Sequence, residues 1–337
     1  ALKVLGATVR SPITFVDAFA GAGKYSMDFV GEAGKVHKTQ PEAIVGIRRV
    51  MRNLQSETNP LPSAIESYFE IVKPLFDQGL YPGSPWIGLK CLDPLHDSAL
   101  CVEMKKREFA QLEASCSGMI RDVTFERADG FAAVQERAGT PNLVALLDPS
   151  YEIPQHYAGV VESFMTLHDR DHQHQPVTMT WFPLLRGRKE GLALDMVREI
   201  KETQLTPLLD VRLQLEQRDA AEFGMYSSGM LIGNPPARLQ ASLEESLPVL
   251  TRSLVQPLEA AKASAPASSS RPTPLPKASS ATASMPSSAS RACWSNSALT
   301  MTLPTTTGSC GAAVALAAAA LSSARSSRPC AMSCSIS

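Results

Sequence analysis

Leu143–Leu147 is an apolar run, and Asp148, Pro149, Ser150 and Tyr151 follow it directly. An acid, a carbonyl on a rigid residue and an aromatic ring would therefore sit at the end of a buried strand. Such groups suit a demanding reaction, attack by a planar exocyclic amine. That nitrogen is a poor nucleophile because its lone pair is delocalised into the ring. Acceptors for both of its hydrogens free the lone pair as the nitrogen becomes tetrahedral. The Asp148 carboxylate and the Pro149 carbonyl could supply them, with Tyr151 stacked on a base turned out of its helix. The plainer reading is an Asp-Pro turn closing a strand. Four residues alone do not separate the two.

Other strand ends carry matching chemistry. Residues 13–19 (ITFVDAF) read as a buried strand that runs into a Gly-rich turn, AGAGKY, at 20–25. Asp17 and Phe19 precede the turn, and Gly21 and Gly23 let a ligand approach the backbone. A dinucleotide site would want a third glycine, where this chain has Ser26. An acid before the glycines instead suits S-adenosylmethionine, whose amino acid end is zwitterionic. Glu103 closes the next expected strand, 99–103, where Rossmann-type sites grip ribose hydroxyls with a carboxylate. Asp129 and Gly130 end the third, with the acid placed to accept from an adenine amino group and the glycine leaving room for the ring. Each feature has a bland alternative: a tight turn, a surface glutamate, a strand-end turn. Acids at successive strand ends are more telling than any one of them.

Three further stretches compete for attention. Asn234-Pro235-Pro236 keeps two prolines but lacks a stacking ring and follows the last strand, so it reads as structural. HDRDHQH at 168–174 falls between a helix and a strand and reads as a solvated loop; no metal site is expected. Arg186, Arg188 and Lys189 follow TWFP at a strand end and are the candidates for phosphate contacts, against a solvated helix start.

The elements that must position these groups follow from pattern. Further strands are expected at 123–127, 143–147, 177–182, 208–215 and 229–233, with helices at 105–115, near 157–167 and at 191–203. Residues 37–95 read as a helical insertion broken near Asn59-Pro60 and at YPGSP (81–85). Strands alternating with helices indicate a mostly parallel, three-layer α/β sheet, with ligands at the carboxyl ends of the strands.

Composition divides the chain. Residues 257–337 carry six Lys/Arg and one acid, which leaves 26 basic and 32 acidic residues in 1–256. A body of net −6 is no bulk electrostatic nucleic-acid binder; RNA contact would need a local basic patch. The Ala/Ser/Pro-rich remainder has few large apolar residues and reads as a disordered tail. The seven cysteines form no framework and read as free thiols in a reducing compartment. The longest apolar run, 312–321, is too short and Ala-rich to span a bilayer.

Together, DAFAGAGKY (17–25), YPGSP (81–85), the acid of CVEM (Glu103), ADGF (128–131), LLDPSY (146–151), TWFP (180–183) and SSGMLIGNPP (227–236) resemble the RlmJ family of bacterial 23S rRNA adenine-N6 methyltransferases. The resemblance runs in order over roughly three quarters of the chain, residues 13–255. It implies a class I methyltransferase fold over 1–256 with a helical insertion after the first strand. It also implies S-adenosylmethionine as donor and, as acceptor, an adenine in protein-free or partly assembled large-subunit RNA. By matched position Ser84, Glu103, Asp129 and Gly130 would bind the donor, and Asp148 would be the catalytic acceptor. A monomer acting in the cytoplasm is expected, with an organelle left open. Three positions depart from the family pattern: its N-terminal motif rich in His, Asn, Asp and Lys is largely absent, Phe19 stands where the family has His, and DPPY has become DPSY. Two readings stay open at this point, an active enzyme and an RNA-binding relative whose donor site has decayed.

Overall fold

The structure, a computed structural model, describes residues 2, 11–27, 46–185, 190–215, 225–255 and 297–303. The strands are β1 (Thr14–Asp17), β2 (Lys24–Ser26), β3 (Leu80–Pro82), β4 (Ser98–Val102), β5 (Asp122–Glu126), β6 (Leu143–Leu147), β7 (Val177–Leu185), β8 (Leu208–Leu215), β9 (Met225–Gly233) and β10 (Ser297–Leu303). The helices are α1 (Ile47–Gln55), α2 (Ser63–Phe76), α3 (Ser84–Cys91), α4 (Lys106–Cys116), α5 (Gly130–Gln135), α6 (Pro154–Leu167), α7 (Glu190–Thr203) and α8 (Leu239–Val255).

Eight strands form one sheet in the order β10-β8-β9-β7-β6-β1-β4-β5. β1 lies in its interior, parallel to β4 on one side and β6 on the other. The chain therefore leaves β1 toward one edge and returns on its other flank, which makes the β1/β6 boundary the topological switch point where such sheets bind ligands. β9 runs antiparallel between β7 and β8.

Period-two alternation explains why these strands are buried on both faces. Phe15, Ala99, Cys101, Val144 and Leu146 pack into one apolar cluster with residues of α1, α2, α3, α4 and α8. Their neighbours Val16, Leu100, Val102, Leu143, Ala145 and Leu147 pack into another with Ala133 and Val134 of α5 and Leu167 of α6. Near-continuous apolar runs are what a doubly covered sheet requires. Cys91, Cys101 and Cys116 are buried free thiols, and burial pushes the last two up in pKa.

Two expectations change. The 37–95 insertion is not helical throughout: three helices fall within 47–91, and β3 pairs antiparallel with β2, Tyr25 opposite Tyr81. Residues 28–45 lie outside the described residues. The 257–337 segment is not wholly without structure, because β10 pairs parallel with β8 from Ser297 opposite Leu209 to Leu303 opposite Leu215. Leu299, Met301 and Leu303 alternate with threonines there, a strand pattern that the surrounding low complexity hides. No helix among the described residues is long and apolar enough to cross a membrane.

Candidate active site

The site lies at the carboxyl end of the central strands. β1 ends at Asp17, whose register partners are Cys101 of β4 and Leu146 of β6. The strand then enters a turn in which Gly21 and Gly23 have φ of 60° and 77°, a region that favours glycine. Space also requires them. A Cβ on Gly21 would fall 2.2 Å from the Tyr25 hydroxyl, and one on Gly23 would fall 2.3 Å from Ser115 Oγ.

Side chains hold this turn. Glu103, just past β4, accepts from the Gly21 amide at 3.0 Å through one oxygen and from the Lys105 amide at 2.7 Å through the other. The Ala22 amide donates to the Tyr25 hydroxyl at 3.1 Å. The Gly83 amide donates to the Gly23 carbonyl at 2.8 Å, which ties the β2–β3 ribbon and the start of α3 to the turn. Ser84 thereby faces the same pocket as Phe19, Ala20, Tyr25, Asp148 and Trp181.

Among the described residues, two carboxyl groups in this region have no cationic partner. Asp17 is fully buried, and its Oδ2 has no hydrogen-bond partner. Burial pushes its carboxyl up to about 6, against the opposing pull of Ser84 and the Phe19 amide. Asp148 is half-buried, and burial together with repulsion from Asp17 pushes it up to about 7. A positively charged ligand beside them would relieve both penalties. The residues present thus fit a cationic donor such as a sulfonium with an ammonium end.

The Asp148–Tyr151 turn is built with strain. Tyr151 has φ 53°, uncommon for a bulky residue. Its ring is 2% exposed, its hydroxyl donates to the Trp181 carbonyl, and its centroid lies 4.7 Å from that of Tyr157. Packing on α6 and β7 thus maintains the left-handed conformation, and strain of this kind clusters at functional sites. The stacking role expected of Tyr151 does not fit this burial: the ring buttresses the turn and is not among the residues that line the pocket with Asp148. Tyr151→Phe is accordingly expected to cost about 1 kcal/mol of stability while changing turnover less than about threefold; thermal unfolding and a methyl-transfer assay check it. Pro149 is buried and Ser150 exposed, so the family's second proline is replaced at the turn's solvent side.

At the third strand end, Asp129 caps α5, accepting from the Ala132 amide at 3.0 Å. Gly130 does not leave room for a ligand ring. A Cβ there would fall 1.9 Å from the Ala18 carbonyl oxygen, so the glycine admits α5 against the end of β1. Phe19 packs edge-on to Phe131 of α5 at 4.9 Å.

The competing stretches lie elsewhere. Gly233 pairs with Thr178 near the start of β7, so Asn234-Pro235-Pro236 sits at the opposite sheet edge from Asp148. The Asn234 side chain donates to the Gln175 carbonyl there. His168 is not solvated: it is fully buried, within 3.0 Å of Thr178 Oγ1, and burial pushes it down to about 4. No cluster of three metal-binding side chains occurs among the described residues. Arg186, Arg188 and Lys189 lie outside the described residues. The sequence did not single out Tyr25, Tyr81 and Trp181, which line the pocket; Tyr25 follows the glycine turn directly and is 45% exposed.

The model of the family "Ribosomal RNA large subunit methyltransferase D, RlmJ" matches residues 10–264. The chain belongs to this family. Membership makes it a methyltransferase that uses S-adenosylmethionine. Two proteins named Ribosomal RNA large subunit methyltransferase J are each 28% identical to it, one from Escherichia coli K12 over 252 residues and one from Haemophilus influenzae over 256. Each alignment covers 72% of this chain and 82% of the relative. A crystal structure of a Legionella pneumophila protein superposes with a TM-score of 0.63 at 20% identity, covering 75% of this chain and 88% of the other. It supports the fold and no more.

Proposed function

We propose that the chain methylates N6 of an adenine in ribosomal RNA. The observation that carries this reading is the position of Asp148. Its carboxylate closes β6, lines the pocket with Ser84 and Trp181, and accepts no hydrogen bond from any described residue. When bound, S-adenosylmethionine supplies the methyl group on a positively charged sulfonium. Asp17, Phe19, Ser84 and the turn at Gly21 and Gly23 would hold its amino acid end, Glu103 its ribose and Asp129 its adenine. Gly130 acts indirectly, by setting α5 against β1. Asp148 and the Pro149 carbonyl would accept the two hydrogens of the target amine and orient its lone pair toward the methyl group. The proton displaced from nitrogen passes to the Asp148 carboxylate or to solvent. Trp181, Tyr25 and Phe19 supply the aromatic walls for the target base.

The test is direct. A large-subunit rRNA transcript is incubated with the protein and methyl-labelled donor, then digested to nucleosides. Label in N6-methyladenosine is expected; label confined to another nucleoside, or none with donor bound, would overturn the reading. Glu103→Ala should weaken donor binding about tenfold to a hundredfold. It removes an acceptor from two backbone amides and, with them, a charge-assisted grip on the ligand. Calorimetric titration of the variant checks this.

A further inference from the structure

The body of the chain is acidic overall, yet one place beside the site gathers positive charge without neutralising it. Trp86 and Lys90 stand four residues apart on α3, the spacing that stacks side chains on one helix face. The Lys90 Nζ lies 5.7 Å from the Trp86 ring centroid. Lys24 reaches the same ring from β2, with its Nζ 4.5 Å from the centroid. Among the described residues no carboxylate pairs with either ammonium. By contrast Lys73 is paired with Asp77, and Lys201 with Asp210. Two like charges on one indole repel each other. The ring's negative face offsets part of that cost, and a bound anion would remove the rest.

The location gives the pair its use. α3 begins at Ser84, which lines the Asp148 pocket, so Trp86 and Lys90 lie within two turns of it. Lys24 lines an open groove with Ser26, Gln111 and Ser115 on the outer side of the ribbon. Tyr25 lines both the groove and the pocket, so the two meet at its ring. Trp86 is half-buried with both lysines on its ring, and Tyr25, next to Lys24 in sequence, is exposed. Together they supply the combination that single-stranded nucleic acid requires: a π-face for a base and cations for the backbone.

We propose that Lys24 and Lys90, held on Trp86, form a phosphate clamp for the RNA strand that leads into the Asp148 pocket. This rests on the reading of RNA as substrate. Binding of a fluorescent single-stranded rRNA fragment is measured by anisotropy at several salt concentrations, for wild type, Lys24→Ala/Lys90→Ala, Lys24→Arg/Lys90→Arg and, as a control, Lys73→Ala. Each lost single-strand phosphate contact lowers the slope of log affinity against log salt by about 0.7. The double alanine variant should therefore lose about 1.4 of slope and bind at least about tenfold more weakly at low salt. Donor titrations should be unchanged. The arginine pair should keep the slope, and Lys73→Ala should match wild type. A double alanine variant with the slope of Lys73→Ala overturns the clamp. So does equal competition by polyglutamate of the same charge, which would assign the pair to an acidic protein. The slope decides the clamp whether or not wild type transfers methyl; RNA bound without transfer overturns the activity alone, and no RNA binding by wild type overturns both.

Discussion

Asp148→Ala and Asp148→Asn are expected to lower methyl transfer by about a thousandfold or more and to leave donor binding within about tenfold of wild type. The loss follows from the chemistry of the acceptor. Amines whose lone pair is conjugated react only when both hydrogens have somewhere to go, and a positioned acceptor typically contributes about 10²–10⁴. Asparagine keeps the shape but presents either an N–H or a weaker oxygen. The pH dependence sharpens this. In the free protein Asp148 is held up to about 7 and Asp17 to about 6, both chiefly by burial. A protonated Asp148 donates where it should accept. The ratio kcat/KM for the donor, which reports the free enzyme, should therefore fall about tenfold per pH unit below about 7 and more steeply below about 6. Stability moves the other way. Because the folded pKa lies above the unfolded value, the folded protein keeps a proton that the unfolded chain releases. That contribution is complete below the unfolded value of 3.8 and is lost as pH rises through about 7. At pH 8 wild type carries a half-buried charge, unpaired among the described residues, that Asp148→Asn lacks, so the variant should melt a few degrees higher. Turnover within tenfold of wild type in Asp148→Asn, or a flat pH profile, sinks the assignment.

Much of the frame was legible because local pattern dictates it. β6 and β8 match their expected bounds residue for residue, since the apolar run of β6 and the polar/apolar alternation of β8, each bounded by turn residues, leave few alternatives. The acids at the ends of β1, β4 and β6 could be placed because a parallel sheet gathers its carboxyl ends on one edge. Facts set by long-range packing were not legible. Three-residue strands with a proline in one of them give almost no signal, and nothing local announces that Tyr25 pairs with Tyr81. The direction of a ring was equally hidden. DPSY reveals an aromatic beside an acid, but Trp181 and Tyr157, which turn that aromatic inward, come from β7 and α6. His168 looked polar by its neighbours, yet its two partners, Gln175 just before β7 and Thr178 within it, come from beyond the loop. The Asp148 turn was legible as a strand end in sequence; which rings wall its pocket was fixed only by the fold.

Gly130→Ala is expected to be the most destabilising single-methyl change in the site region, costing about 3 kcal/mol or more. The position has no left-handed φ that demands glycine, so the argument is one of space alone. The added carbon would lie 1.9 Å from the Ala18 carbonyl oxygen and 2.9 Å from both its carbon and a Phe19 ring carbon. Two of those three atoms are backbone. Ala18 follows the central strand, and its amide donates to the Leu146 carbonyl of β6 at 3.1 Å. Neither side can rotate away as a flexible side chain would; either α5 backs off or the end of β1 shifts. Both responses reach the site, because α5 carries the Asp129 cap, β1 ends at Asp17, and Phe19 lies in the turn just after it. The melting temperature should fall by about 6 °C or more, and donor affinity should weaken at temperatures where the variant is still folded. Gly118→Ala separates space from backbone strain. Gly118 has φ +73°, and a Cβ added there would meet no atom within 4 Å, so alanine bears only the left-handed cost of about 1–2 kcal/mol and leaves donor binding untouched. If Gly130→Ala melts no lower than Gly118→Ala and binds donor like wild type, α5 does not pack on the end of β1, and the indirect role given to Gly130 fails with it.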